Sequence, residues 1–288
     1  MKIGITKKEH SYTPEAYAYK DYLEKYGHIV QLDYDTNLDP NNDINIFFLG
    51  LKPFWYRKKG NAIEIHEYQS LSTGSYPKFK DCIKKTLNRK PDKRIFLNQI
   101  VRDGFQFNDS IPFLYRDMGI DASFFTPLNS VPEYDIVYCG SISGREGLIE
   151  VILKLSQKYN IIVIGDVSND VRTLFQTSGV TMTGRLERKY IPDIYKKCRF
   201  GLNYTPDIYP FNIQTSTKTL EYLASGLGII SNKYKWSQEF CLKHNINFHW
   251  YENGNVLFSD FVDYSNNVKI YEWERMLESI NFIKFISL

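Results

Sequence analysis

Ser216, Thr217, Lys218 and Glu221 fall within one short stretch, PFNIQTSTKTLEYLASGLGIIS, running from Pro210 to Ser231. Their types suit an anion joined to a polyol. With Thr217 as N-cap, Lys218 opens a helix, and Leu220, Leu223 and Ala224 share its buried face at the i, i+3, i+4 spacing. Gly226 closes the helix and a small apolar strand, Gly228 to Ser231, follows. Glu221 lies beyond the N3 place of a capping box, so its carboxylate is left for another partner. A lysine at the positive end of a helix is mildly unfavourable unless an anion joins it. Open first-turn amides, a lysine and a nearby carboxylate therefore suit a phosphate carried on a ribose-like polyol. The same spacing also fits an ordinary helix–strand unit in which Glu221 only complements the helix dipole.

The elements that must hold these groups alternate along the chain. Lys2 to Ile5 reads as a strand, Pro14 to Tyr26 as a helix and Ile29 to Leu32 as a strand. Strand patterns recur at Ile44 to Leu49, Ala62 to Ile65 and Arg94 to Asn98, with a helix at Lys78 to Leu87. The second half repeats the theme: strands at Asp135 to Cys139, Ile161 to Gly165, Val180 to Thr183 and Phe200 to Tyr204, and helices at Leu148 to Lys158, Asp170 to Phe175 and Tyr190 to Lys197. Such alternation predicts parallel, doubly wound α/β sheets.

At 288 residues, with 43% hydrophobic residues, 22 Tyr and 19 Phe, the chain has material for two domains with real cores. No apolar run approaches the roughly 18 residues that would cross a bilayer. The start MKIGITKKEH reads as strand then charge rather than as a signal peptide, so a cytoplasmic location is expected. Cys82, Cys139, Cys198 and Cys241 have no metal-ligand spacing and read as reduced thiols. Asp33 and Asp35, in DYD, have the spacing of a metal-binding pair but read as a strand-end loop; no metal and no cofactor are expected. Net charge is +3, yet residues 52–102 hold thirteen Lys and Arg against four Asp and Glu. That bias favours an anionic partner or a solvated lysine-rich face. Nucleic acid is disfavoured, because no recognition motif accompanies it.

The segment STKTLEYLASGLGIIS resembles the TK-x-x-EYLA-x-G-x-P-V-I signature of the family-4 (group 1) retaining glycosyltransferases of GT-B fold. The resemblance covers residues 134–231 well and the first half faintly. It implies two Rossmann-like doubly wound domains facing across a cleft, with boundaries at 1–130, 131–270 and a last helix, 271–288, crossing back to the first. PFLYRDMGIDASFFTP is similar to the connector with which that family leaves its first domain.

The resemblance further implies a nucleotide-sugar donor, with Glu221 on the ribose and Lys218 on the diphosphate. GSISGREG is similar to the family's glycine turn, which makes Gly140 and Ser141 donor contacts and Arg145 a diphosphate partner. TGRLERKYIPDIYKKCRFGLNYTP is similar to the block beside the nucleobase, where Arg185 would meet the base and Gly184 would admit backbone close to it. The first of the family's two glutamates falls at Ile213, so the amides of Ile213 to Thr215 or the side chains of Asn212 and Gln214 would substitute for it. His66, in a loop after a strand, would touch the transferred sugar or the acceptor. Catalysis would rest on His66, Arg145 and Lys218, with transfer to a glycan or lipid-linked glycan of a bacterial-type surface polysaccharide and peripheral membrane contact through residues 52–102. A nucleotide-sugar epimerase, which would turn over donor without acceptor, and a non-catalytic nucleotide-sugar-binding module remain the alternatives.

Overall fold

The structure is a computed structural model that describes residues 1–7, 13–56, 58, 60–72, 74–209 and 211–288. It divides into two compact units, Met1–Gly119 with Trp273–Leu288, and Ile120–Glu272.

In the first unit the strands are β1 (Lys2–Thr6), β2 (Ile29–Asp33), β3 (Ile44–Phe48), β4 (Ile63–Tyr68), β5 (Lys93–Phe96) and β6 (Phe113–Tyr115), all parallel in the order β2-β1-β3-β4-β5-β6. Helices α1 (Pro14–Lys25), α2 (Pro77–Leu87) and α3 (Gln99–Phe105) connect them. β3 reads INIFF and is buried throughout, as a strand covered on both faces must be. Two short helices, α9 (Trp273–Ser279) and α10 (Phe282–Ser287), complete this unit. Met276, Leu277, Phe282 and Ile286 join Ala16, Tyr19 and Leu23 of α1 in one apolar cluster with Ile3, Ile5, Ile44 and Ile46. Lys93 Nζ donates to the Phe285 carbonyl at 2.7 Å, satisfying an end of α10 that has no partner within the helix.

The second unit holds β7 (Tyr134–Cys139), α4 (Leu148–Ser156), β8 (Ile161–Ile164), α5 (Asn169–Thr177), β9 (Thr181–Gly184), α6 (Ile191–Tyr195), β10 (Cys198–Asn203), α7 (Thr217–Ala224), β11 (Gly228–Ser231), α8 (Lys235–His244), β12 (His249–Glu252) and β13 (Asn255–Leu257). The sheet order is β13-β12-β11-β10-β7-β8-β9, parallel except for the β12–β13 hairpin. Strand order reverses direction between β7 and β10, and beyond the carboxyl ends of those two strands lies the topological switch point where open α/β sheets take ligands.

One boundary differs from the expected one. The division between units lies at Gly119–Ile120 rather than near residue 130, because the strap after it belongs to the second unit. Phe124, in the turn Ala122–Phe124, is fully buried, its ring centroid is 5.7 Å from that of Tyr195, and its carbonyl accepts from Ser225 Oγ at 2.9 Å. Part of the basic charge of residues 52–102 is paired inside the unit. Lys93 and Arg94 are buried, Arg94 pairs with Asp109 at 2.5 Å, Arg89 with Glu64 at 2.5 Å, Lys58 with Asp92 at 2.9 Å and Lys52 with Asp35 at 2.5 Å. Arg57 and Lys59 lie outside the described residues. Among the described residues no helix is long and apolar enough to cross a membrane.

Candidate functional site

At the switch point, the end of β7, the segment after β10 and the start of α7 enclose a cavity of about 350 Å³. Gly140, Arg145, Gln214, Thr215, Ser216, Thr217, Lys218 and Glu221 line it, joined by Cys139, Arg188, Thr205, Phe211 and Tyr234. The lining thus carries three basic side chains, Arg145, Arg188 and Lys218, and one carboxylate.

Helix α7 starts one residue earlier than its sequence pattern implies. Ser216, not Thr217, is the N-cap, and its side chain makes no cap bond. Its Oγ instead donates to Asn203 Oδ1 at 3.0 Å and accepts from Thr219 Oγ1 at 2.8 Å. The buried Asn203 amide also donates to Ser231 Oγ and to the Tyr234 hydroxyl, both at 3.0 Å, so the end of β10 fixes β11 and the start of α7 together. Ser216 gives no side-chain cap and the Thr219 amide donates to the Ser216 carbonyl at 3.1 Å, which leaves the amides of Thr217 and Lys218 to meet an anion.

Lys218 is the second residue of α7, and its Nζ is buried with no hydrogen-bond partner. It stands 4.5 Å from the centroid of the Tyr138 ring, a cation–π contact that substitutes only partly for lost water. Burial, then the charge of Arg145, hold its pKa well below that of an ordinary lysine. An anion entering the cavity removes that penalty. Tyr138 is itself fixed by donating to the Ser141 carbonyl at 2.8 Å.

Glu221 is buried and paired through Oε1 with Arg188 Nη2 at 2.5 Å. Burial pushes its pKa up, and Arg188 pulls it back. Arg188 opens a single 3-10 turn, Arg188–Tyr190, and its guanidinium sits 4.9 Å from the Phe124 ring centroid. Beside it, burial raises the Cys139 thiol to about 11, so this cysteine is a neutral wall of the cavity rather than a nucleophile.

Several sequence-predicted contacts lie elsewhere. Ser141 and Arg185 are exposed and do not line the cavity. Gly184 also stands outside it, in open space; its φ of +70° explains the glycine by the turn that ends β9. Asn212 Nδ2 is bound to Asp207 Oδ1 at 2.9 Å, and Ile213, in the turn Phe211–Ile213, is half-buried outside the lining.

His66 is corrected most clearly. It is not in a loop but within β4, fully buried, with Nε2 at 2.5 Å from Glu64 Oε1 and its ring edge-on to Phe47. Burial depresses its pKa, with Glu64 opposing. Burial alone would raise Glu64, but the bonds from His66 and Arg89 win and hold it at about 2. This is a buried ion-pair cluster inside the first unit, and the strand IEIHEY runs on past the point where the sequence pattern breaks.

Arg188, Thr205, Phe211, Tyr234 and Cys139 line the cavity without a motif in the sequence to mark them. A buried carboxylate requires a cation, which narrows the choice to the basic run TGRLERK, but nothing in that run separates Arg185 from Arg188. The separation comes from Phe124, 64 residues away in the chain, under the guanidinium.

Glycine is obligatory behind the cavity. Gly165 has φ +146°, and a Cβ there would lie 2.4 Å from the Gly140 carbonyl oxygen, a backbone atom with no room to yield. Gly165→Ala is expected to displace Gly140 and lower the thermal midpoint, by roughly 1–3 kcal/mol of destabilisation; an unchanged midpoint on calorimetry would show that the loop adapts.

No protein-family model matches this sequence, nor does any curated protein. Solved structures do. The chain is similar to sucrose-phosphate synthase from Thermosynechococcus elongatus (12% identity, 99% of this chain and 98% of that one, TM-score 0.69). It is also similar to Anabaena HepE in complex with UDP and glucose (12%, 99% and 99%, 0.67) and to AviGT4, a glycosyltransferase involved in avilamycin A biosynthesis (10%, 99% and 96%, 0.65). At such identities the likeness speaks for the fold: the chain has the GT-B fold, two Rossmann-like α/β units in one polypeptide.

Proposed function

We propose that the protein is a glycosyltransferase that takes a sugar from a nucleoside diphosphate sugar bound in the cavity of the second unit. The observation that carries this is the juxtaposition of the unsatisfied Lys218 amine, uncapped α7 amides and the Glu221 carboxylate at the switch point. A diphosphate accepts from the amides, Lys218 and Arg145, while the ribose hydroxyls donate to Glu221. As the sugar leaves, negative charge develops on the diphosphate where those donors already point, which is electrostatic catalysis without a bound metal. The complexes of HepE with UDP and with UDP-glucose support the donor class.

Transfer is proposed to proceed with retention, to a glycan or lipid-linked glycan of a surface polysaccharide, by a cytoplasmic enzyme touching the inner membrane face. Support for the membrane contact comes from the first unit, where Phe54, Trp55, Tyr56, Tyr76 and Phe79 are all more than half exposed and Lys78 and Lys80 stand beside the last two. Exposed aromatic rings with lysines suit an anionic lipid–water boundary.

Thermal-shift measurements with UDP, GDP, CDP and ADP test the donor site. A ligand at a hundred times its Kd stabilises by about 2.7 kcal/mol, which is several degrees for a unit of this size. One of the four should give that shift and Glu221→Ala should lose it. Failure of all four, or an equal shift in the variant, removes the proposal.

A further inference from the structure

We infer that Arg188 is a positioning residue for the donor's ribose: it holds the Glu221 side chain turned toward the cavity, so that this carboxylate serves as an acceptor for the vicinal hydroxyls. The inference rests on the donor pocket proposed above. Arg188 and Glu221 both line the cavity, and Nη2 meets Oε1 at 2.5 Å while the Glu221 side chain is only 5% accessible. The second hold on the guanidinium, 4.9 Å above the Phe124 ring, keeps it from swinging out to water. A carboxylate has two oxygens and about four acceptor sites, so a pair made through Oε1 leaves acceptor capacity for a diol. Arg188 is thus a companion of the ribose, not its competitor.

The other titratable groups around Glu221 cannot take over this task. Asp121, before the Phe124 turn, adds like charge; Cys139 at the end of β7, Tyr195 on α6 and Tyr222 on α7 are pushed up by burial and stay neutral. Lys218, on the same helix three residues earlier, leans over Tyr138 instead. Without Arg188, burial and the charge of Asp121 act on Glu221 with nothing to oppose them, and its pKa climbs further above the ordinary carboxylate range, toward the neutral form. A protonated carboxyl spends part of its capacity as a donor and accepts less well from two hydroxyls.

Calorimetric titration of UDP and 2′-deoxy-UDP, or the corresponding pair for whichever base stabilises the protein, from pH 6 to 9 tests this. Wild-type protein should prefer the ribonucleotide by about tenfold, the effect of one lost bond to a charged group, with little change across that range. In Arg188→Gln the preference should vanish at pH 6 and return as pH rises, while Arg188→Lys should restore the flat profile. Glu221→Gln, fixed neutral and nearly isosteric, should show little preference at any pH. A flat wild-type-like ratio in Arg188→Gln, or no rescue by lysine, overturns the role of Arg188 and leaves the pocket standing. Wild-type protein that binds none of the nucleotides overturns the pocket and this inference with it.

Discussion

Replacing Lys218 with methionine is expected to lower the rate of sugar transfer on the order of 10²–10³-fold, the effect of deleting one preorganised donor from a site where negative charge develops. The same change should leave the donor-free protein as stable as before, or more stable. Nζ is buried without a hydrogen bond, so removing it deletes a desolvated amine while the methionine keeps the apolar stem against Tyr138. Opposite signs on rate and stability mark a group held for a ligand rather than for the fold.

A linkage follows with a definite sign. The free amine has a depressed pKa from burial and Arg145, and a bound diphosphate raises it. Between those two values binding takes up a proton, so donor affinity falls as pH rises through that window. Calorimetry in two buffers of different ionisation enthalpy should register the uptake in wild-type protein and none in Lys218→Met. A methionine variant of unchanged rate would remove Lys218 from the mechanism.

Much of the architecture is legible because parallel strands covered on both faces are near-continuous apolar runs: IIVI is wholly apolar, and INIFF and GIIS each carry a single polar residue, Asn45 and Ser231. Helices between them follow from their periodicity. What failed was local. The β4 strand extends beyond the apolar pattern that marks it, because Glu64, His66 and Glu67 of IEIHEY are buried with Arg89 and Arg116 reaching Glu64 and Glu67 from distant segments. The short β13, antiparallel at the sheet edge, gives too few residues for a period to show.

At the candidate site the same division holds. Lys218, Glu221, Arg145 and Thr215 to Thr217 are contiguous with recognisable helix and glycine-turn chemistry, and the structure brings them to one cavity. Arg188 and Phe211 arrive there from segments whose spacing carries no period, so only tertiary packing selects them. Arg185, the basic residue that the sequence offers beside Gly184, faces solvent. Three residues is nearly one turn of helix but not of an extended segment, and residues 185–187 precede the turn that begins at Arg188.

The largest stability effect is expected away from the cavity, at the fully buried ion pair between Glu67 and Arg116 in the first unit. Tyr19 completes it: its hydroxyl donates to Glu67 Oε2 at 2.8 Å and accepts from Arg116 Nε at 2.9 Å, and the guanidinium lies 5.3 Å from the Trp273 ring centroid. Breaking a buried pair by removing one partner costs about 3–5 kcal/mol, because the other charge stays behind. The two single variants should differ in kind. Glu67→Ala strands a guanidinium that cannot lose its proton, so its deficit should be nearly independent of pH. Arg116→Ala strands a carboxyl that can take one up. Burial already raises the Glu67 pKa and only Arg116 opposes that strongly. In the variant the folded pKa therefore stands far above the unfolded value, so its stability is retained below the unfolded pKa and lost as pH rises through the folded one. Urea unfolding at pH 5 and pH 8 should show Arg116→Ala closer to wild type at pH 5, and Glu67→Ala equally impaired at both. The triple change Glu67→Met, Arg116→Met, Tyr19→Phe, which leaves no charge behind, should recover most of the loss. If either single variant unfolds at pH 8 within about 1 kcal/mol of wild type, the smallest loss compatible with an uncompensated buried charge, the pair is not the closed, dry unit its geometry describes.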